Sequence, residues 1–383
     1  MKFRKRMCLI IYLIFVFFSI ICRAEIEQNK FEIIAPSAIL IEQSSGKILF
    51  EKNAHEVRHV ASLMKIMNLF IALRKIEEGK INLKDKIVID YDIPKSEGSN
   101  IWLKQGETIT VQDLIKAISM VSANDACISL AKYISGDENK FISKMNDYAN
   151  NLNLTNTTFK NCIGEDEEGN ITTARDIAYL TREVMKYENN ITKYTSSWID
   201  HIRDKKTQLV NTNKLIKIYP GTTGIKTGTS KEAGSCICAT AEKNNLKLIG
   251  VVLGCKDLKE RTNEITKLLD YGFSEYSMMS PELPDNLPKI IPIKNGIDSQ
   301  IEVNACIDES FPVSNKDTKN FYYEIVWKEN IEAPIQKGEK VGEIIYRQND
   351  ELVYTCDILS NSNVEKIKFL PTFRKLLFNI LSL

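Results

Sequence analysis

The sequence predicts an α+β protein: a sheet covered by helices, followed by a small all-β domain and a C-terminal amphipathic helix. Three observations carry that expectation. Between residues 33 and 271, segments with apolar residues at helical spacing interleave with short alternating, strand-like runs. At Ser280-Pro-Glu-Leu-Pro-Asp-Asn-Leu-Pro288 three prolines rule out a continuing helix and read as a linker. Only strand-like runs follow, as far as residue 362, and the last dozen residues then change character again.

From the N-terminus, Met1-Lys-Phe-Arg-Lys-Arg6 is a basic start, Met7–Ile21 an uninterrupted apolar run, and Cys22-Arg-Ala24 a small-residue cleavage site. Residues 1–24 therefore read as an export signal, the apolar run being short for a membrane span. Residues 33–52 read as two alternating strands joined at Ser44-Ser45-Gly46. A helix is expected from Leu63 to Glu78, with Ile66, Leu69, Phe70, Leu73 and Ile76 on one side and Gly79 as its stop. Thr110-Val-Gln-Asp113 opens a second helix with a capping box, and Asp125–Ser135 forms a third, closed by Gly136. Helices are also expected at 139–151, 174–187 and 261–271, with strands 224–230, 235–241 and 247–254 between the last two. Together these make a first domain over 25–278 and a small β domain over 286–362, with Asn349-Asp350 as a hairpin turn. In the tail, 366–383, Phe373, Leu376, Leu377, Ile380, Leu381 and Leu383 share one helical side; Arg374, Lys375, Asn379 and Ser382 share the other, and Phe378 is the misfit. Such a helix is too short to cross a bilayer but suits lying in its surface.

Composition narrows the function. The five bases of residues 1–24 meet no acid, and subtracting them from the net charge of +1 leaves −4 for residues 25–383, a poor balance for a nucleic-acid binder. Of nine cysteines, Cys8 and Cys22 fall in the signal. The other seven (Cys127, Cys162, Cys236, Cys238, Cys255, Cys306, Cys356) are irregularly spaced, without a CxxC pair, and only three histidines accompany them. No metal site or cofactor is expected, and the thiols read as small buried apolar groups. Cys236 and Cys238 alternate with Ile237 and are expected to share one face.

Three short strings carry chemistry: Ser62-Leu-Met-Lys65, Ser122-Ala-Asn124 and Lys226-Thr-Gly228. If Ser62 caps the first helix, Lys65 lies one turn on and on the same side, within reach of the hydroxyl. A hydroxyl is a weak nucleophile at its own pKa and needs a neighbouring base, which lysine becomes only when burial or a nearby cation lowers its pKa. Lys226 is a candidate for that cation. Ser122-Ala-Asn124 sits between two helices, and Gly228 in a strand marks a close approach of backbone. With His55, His59 and His201 as the only histidines, a Ser-His-Asp triad is not the first choice.

In this order the three strings form the signature of serine enzymes that acylate on D-alanyl peptides or penicillin. The chain resembles the low-molecular-mass penicillin-binding proteins of the D-alanyl-D-alanine carboxypeptidase type. The resemblance extends to Gly98–Gly106, Thr173-Ala-Arg-Asp176, Tyr219-Pro-Gly221, Ala233-Gly234, the small β domain and the tail. It implies a β-lactamase/transpeptidase-like catalytic domain, an antiparallel sheet covered by helices, followed by a β sandwich. It implies Ser62 as nucleophile, Lys65 as general base, Ser122 as proton relay and Asn124 as holder of the substrate peptide. Lys226 would add positive charge with Thr227 beside it, the backbone N–H groups of Ser62 and Thr229 would form the oxyanion hole, and Arg261 would meet the substrate's terminal carboxylate. Thr229 stands where the family often has histidine, and the block Asn161–Ile171 lacks the family's usual Gly-Leu and histidine.

The resemblance thus implies an exported serine D-Ala-D-Ala carboxypeptidase on the outer face of the cytoplasmic membrane. It would cleave peptidoglycan stem pentapeptides ending in D-Ala-D-Ala, be acylated by β-lactams, and need neither metal nor cofactor. A serine β-lactamase and a catalytically silent wall-associated scaffold are the competing expectations.

Overall fold

The computed structural model describes residues 31–89, 98–305, 307, 310–316, 320–368, 373 and 378. The expected signal, Cys306 and most of the tail lie outside the described residues; Phe373 and Phe378 are helical and exposed.

The chain opens with the hairpin β1 (Ser37–Glu42) and β2 (Ile48–Lys52). Its turn is held by the buried Glu42 carboxylate, which accepts from Ser44 N at 2.8 Å, Ser45 N at 2.7 Å and Ser45 Oγ at 2.6 Å. A 3-10 turn, Ala61–Met64, leads into α1 (Lys65–Glu77). Then come β3 (Lys86–Val88), β4 (Thr108–Thr110), α2 (Val111–Val121), α3 (Asn124–Ser135), α4 (Glu138–Asn151), α5 (Ala174–Met185) and α6 (Glu188–Thr195). The ribbon β5 (Ile199–Ile202) and β6 (Thr207–Val210), with α7 (Leu215–Ile218), precedes β7 (Thr222–Ser230), β8 (Gly234–Lys243) and β9 (Leu246–Cys255); α8 (Leu258–Glu275) follows.

Five strands form an antiparallel sheet in the order β2-β1-β9-β8-β7, which leaves β7 at an edge. Both faces are covered. On one, Thr181 of α5 meets the Cys238 thiol at 3.1 Å; on the other, a Cβ on Gly250 would lie 2.9 Å from Ile265 of α8. Cys236, Ile237 and Cys238 are consequently all buried, so alternation along β8 does not separate a core face from a wet one. The six described cysteines are buried free thiols. α1 runs through the core, with every residue from Lys65 to Leu73 buried.

Ser62 does not cap α1. It lies inside the 3-10 turn, and no side chain caps the start of α1. The capping box of α2 is half formed: Asp113 N donates to Thr110 Oγ1 at 3.1 Å, while the Asp113 carboxylate accepts from Arg203 N. α8 begins earlier than its apolar pattern because Asp257 caps it, Oδ1 accepting from Glu260 N at 2.8 Å.

After α8, β10 (Tyr276–Met279) pairs antiparallel with β13 (Phe311–Ser314). A second five-stranded sheet runs β11-β12-β16-β15-β14: β11 (Ile290–Pro292), β12 (Gln300–Ala305), β14 (Phe321–Trp327), β15 (Lys340–Gln348), β16 (Glu351–Ser360). Asn349 and Asp350, at φ 51° and 66°, make its β15–β16 turn. Its core is mostly aliphatic, with Phe311 and Tyr346 buried in it and Tyr354 stacked on Phe311 at 4.8 Å.

Candidate active site

The 3-10 turn and α1 place Ser62 and Lys65 together. Lys65 Nζ donates to Ser62 Oγ at 2.8 Å and to the Ile163 carbonyl at 2.6 Å. The lysine is fully buried, and burial pushes its pKa below 10.5; Cys127, Cys162 and Glu165 push the other way. Lys226 is buried too, its pKa pushed well down by burial first and by Lys65 second, and its amine donates to the Thr227 carbonyl at 3.1 Å. The lowering of Lys65 is therefore chiefly a burial effect, and Lys226, expected as a standing cation, is itself held toward its neutral form.

The second string sits at the α2–α3 corner. Ser122 takes left-handed backbone, φ 61°, which ends α2 and lets Ala123 and Asn124 start α3 in a new direction. Its hydroxyl is buried and has no hydrogen bond among the described residues, so a relay to Lys65 is not formed as a direct bond. Asn124 N donates to Ser99 O at 2.7 Å, and Gly98 approaches its side chain so closely that a Cβ would lie 3.3 Å from Nδ2. The buried Asp125 carboxylate accepts from Ile101 N and Leu103 N at 3.1 and 3.0 Å, clamping that loop to α3.

The third string lies on β7, whose edge position leaves one side of its backbone unpaired with another strand among the described residues, the geometry an extended ligand can use. Gly228 explains how it reaches Ser62: a Cβ there would lie 2.6 Å from Val60 O and 3.0 Å from Ser62 N. Thr227 Oγ1 lies 3.2 Å from Thr212 Oγ1, and Thr212 N donates to Met120 O at 2.9 Å, tying β7 to the end of α2. Thr229 is exposed, its hydroxyl turned back onto Gly228 O at 2.8 Å.

Arg261, from the first turn of α8, is buried rather than a surface ion pair. Nη1 reaches Cys236 O at 3.5 Å and Nε has no partner among the described residues. Ser62, Ser122, Asn124, Thr227, Thr229 and Arg261 all line one cleft of about 1260 Å³, while Lys65 and Lys226 are buried and do not line it. The loop 161–170 forms part of its wall. A Cβ on Gly164, at φ 80°, would lie 2.3 Å from Ala61 O, and Asp166 accepts from Ser230 Oγ at 2.7 Å and Glu232 N at 3.2 Å.

Sequence reasoning missed the supports: Asp125, Thr212, the Asp166–Ser230 tie, and Asn68, whose Nδ2 donates to Cys162 O at 3.0 Å. Only Asn68 carried a signal, as a polar residue inside an apolar helix.

A buried Ser-Lys pair beside a glycine-bearing edge strand, under helices packed on an antiparallel sheet, defines the serine acyl-transfer class of the penicillin-recognising fold. The D-alanyl-D-alanine carboxypeptidase family matches residues 23–257, and the C-terminal domain of penicillin-binding protein 5 matches residues 284–366. The chain belongs to the D-alanyl-D-alanine carboxypeptidase family. It is 39% identical to the D-alanyl-D-alanine carboxypeptidase DacF of Bacillus subtilis, over 89% of this chain and 88% of the relative. It is 34% identical to DacC of Escherichia coli, over 86% and 84%. Among solved structures, penicillin-binding protein 5 of Haemophilus influenzae superposes with a TM-score of 0.77 at 26% identity, covering 88% of this chain and 98% of the other. A Listeria monocytogenes penicillin-binding protein in its ampicillin-bound form superposes at 0.58, 28% identity, over 63% and 98%.

Proposed function

We propose that this cleft removes the terminal D-alanine from peptidoglycan stem pentapeptides through an acyl-enzyme on Ser62, and that penicillins acylate the same serine. The observation that carries it is the 2.8 Å contact between Ser62 Oγ and a buried Lys65 amine.

Ser62 Oγ attacks the carbonyl of the penultimate D-alanine as its proton passes to the neutral Lys65 amine. The developing oxyanion is met by the N–H groups of Ser62 and Thr229. The C–N bond then breaks, and the proton returns from Lys65 to the departing D-alanine nitrogen by way of the Ser122 hydroxyl. Water, deprotonated by Lys65, opens the ester and restores Ser62. Asn124 and the edge of β7 hold the peptide. The substrate's terminal carboxylate lies toward Arg261, and an anion bound there favours the charged form of Lys226, which is buried beyond the cleft lining.

The same reading takes residues 1–24 as an export signal cleaved after Ala24 and the tail 366–383 as a helix on the outer face of the cytoplasmic membrane. The support is the basic start, apolar run and small-residue site of the one and the two-sided pattern of the other.

The test is intact-mass spectrometry after exposure to a penicillin, beside D-alanine release from a Lys-D-Ala-D-Ala peptide. A long-lived adduct on Ser62, with release lost in Ser62→Ala, is the expected result. Fast penicillin destruction without an adduct would make the enzyme a β-lactamase, and neither adduct nor release would leave a scaffold.

A further inference from the structure

Glu165 stands immediately after Gly164 and lines the cleft that holds Ser62. Its backbone is locked: N–H donates to Asn161 Oδ1 at 3.1 Å, and its carbonyl accepts from Asn170 Nδ2 at 2.9 Å and Asn161 Nδ2 at 3.3 Å. On one side, Gly164 is pressed against the turn that carries Ser62. On the other, Asp166 is taken up by Ser230 and Glu232, and Glu167 accepts from Asn161 Nδ2 at 2.9 Å. No hydrogen bond or ion pair reaches the Glu165 carboxylate among the described residues.

Burial lowers the Lys65 pKa, and the Glu165 charge opposes that in part, after Cys127 and Cys162. A cation arriving with the substrate would cancel the effect. The distribution of charge in the cleft has room for one: Lys214, Lys231, Lys259 and Arg261 come from other segments, while the acids that line the cleft, Glu165 and Asp166, come from this loop alone. The ligand is already set by the nucleophile, a peptide ending in D-alanyl-D-alanine, and the residue before that dipeptide is the nearest to present a side chain beyond the acylated position.

We propose that Glu165 is a specificity residue that pairs with a free ammonium on the stem residue preceding D-alanyl-D-alanine, so that the enzyme selects donors with a cationic third residue. The inference rests on the carboxypeptidase reading.

The test compares kcat/KM of the purified enzyme for acetyl-Lys-D-Ala-D-Ala bearing a free side-chain ammonium with that for its diacetylated, neutral counterpart, at low salt. The wild type is expected to prefer the cationic peptide by roughly 5-fold, the upper range for an exposed ion pair. Glu165→Gln should collapse the ratio to about 1 and Glu165→Asp should keep part of it. A wild-type ratio near 1, or an equal change in both peptides in Glu165→Gln, would overturn the proposal; an equal acceleration would leave the carboxylate acting on Lys65 alone. Release of D-alanine from neither peptide by the wild type would overturn the carboxypeptidase reading itself, and this inference with it.

Discussion

The Lys65 amine lies 2.6 Å from the carbonyl oxygen of Ile163, so a loop nearly a hundred residues downstream aims that amine at Ser62. A neutral amine has two N–H donors and one lone pair. With one N–H fixed on Ile163, the lone pair can turn to the Ser62 hydroxyl. Only the neutral form can accept that proton, so acylation should rise with pH through the pKa of Lys65 and level off below pH 10.5. Stability has the same sign. The unfolded chain keeps this proton to a pH of about 10.4 and the folded chain loses it earlier, so stability climbs with pH between the two values. Lys65→Met should cut acylation by on the order of 10²–10⁴ and remove this contribution, read as the difference between the two proteins, because Lys226, Lys47 and Lys144 act with the same sign and the buried thiols with the opposite one. Penicillin acylation rates and melting temperatures across pH, for both proteins, check this.

Gly228→Ala should damage activity and stability together. The added methyl would meet Val60 O at 2.6 Å and Ser62 N at 3.0 Å, both backbone atoms that cannot swing aside. Either β7 or the Ser62 turn must move, at a cost of about 1–3 kcal/mol. Because that displacement shifts the N–H groups proposed as oxyanion donors, the acylation rate should fall by roughly 10²–10³. Thermal melting and penicillin acylation measure the two losses; an unaltered rate would mean β7 does not set the geometry of the hole.

What was legible in the sequence, and what was not, follows from range. Ser62 and Lys65 lie three positions apart, and Lys226 to Thr229 are contiguous, so local geometry already sets the chemistry. Asp166 and Ser230 are 64 positions apart, and nothing in either segment names the other. Asp125 reads as an ordinary first-turn acid until its carboxylate is seen holding Ile101 and Leu103. Ser62 looked like a helix cap because serine favours that position, but Ala61 takes φ 48° and winds the chain into a 3-10 turn first. α6 escaped because only Ile191, Tyr194 and Thr195 are buried along it, too weak a pattern against its polar remainder. α8 was placed late because its start is written in the Asp257 cap rather than in apolar spacing.

Asp166→Ala should loosen the cleft wall without unfolding the protein. The Asp166–Ser230 bond is exposed, so its removal is expected to cost stability only about 0.5–1.5 kcal/mol. Faster amide exchange over 161–170, with weaker peptide binding, is the sharper expectation. Ser230→Ala breaks that bond too, and the double variant should cost less than the sum of the two, since the shared bond is counted twice, while Asp166→Ala also frees Glu232 N and Ser230→Ala also frees Ala233 N. Additive effects in that cycle would show that the two residues act separately.

Arg261→Gln tests recognition of the terminal carboxylate. The buried guanidinium has one long bond to Cys236 O and an Nε with no partner among the described residues, so it contributes little to holding the fold, and removing it should leave the melting temperature level or raise it. A hydrogen-bonded charge is worth about 1.5–3 kcal/mol, so kcat/KM for a D-Ala-D-Ala peptide should fall by roughly 10- to 150-fold. A peptide ending in D-alaninamide, which presents no carboxylate, should already be poor for the wild type and lose little more in the variant. The cycle of two enzymes and two peptides isolates the pairing. If Arg261→Gln slowed the acid and the amide equally, the arginine would be shaping the cleft rather than reading the carboxylate.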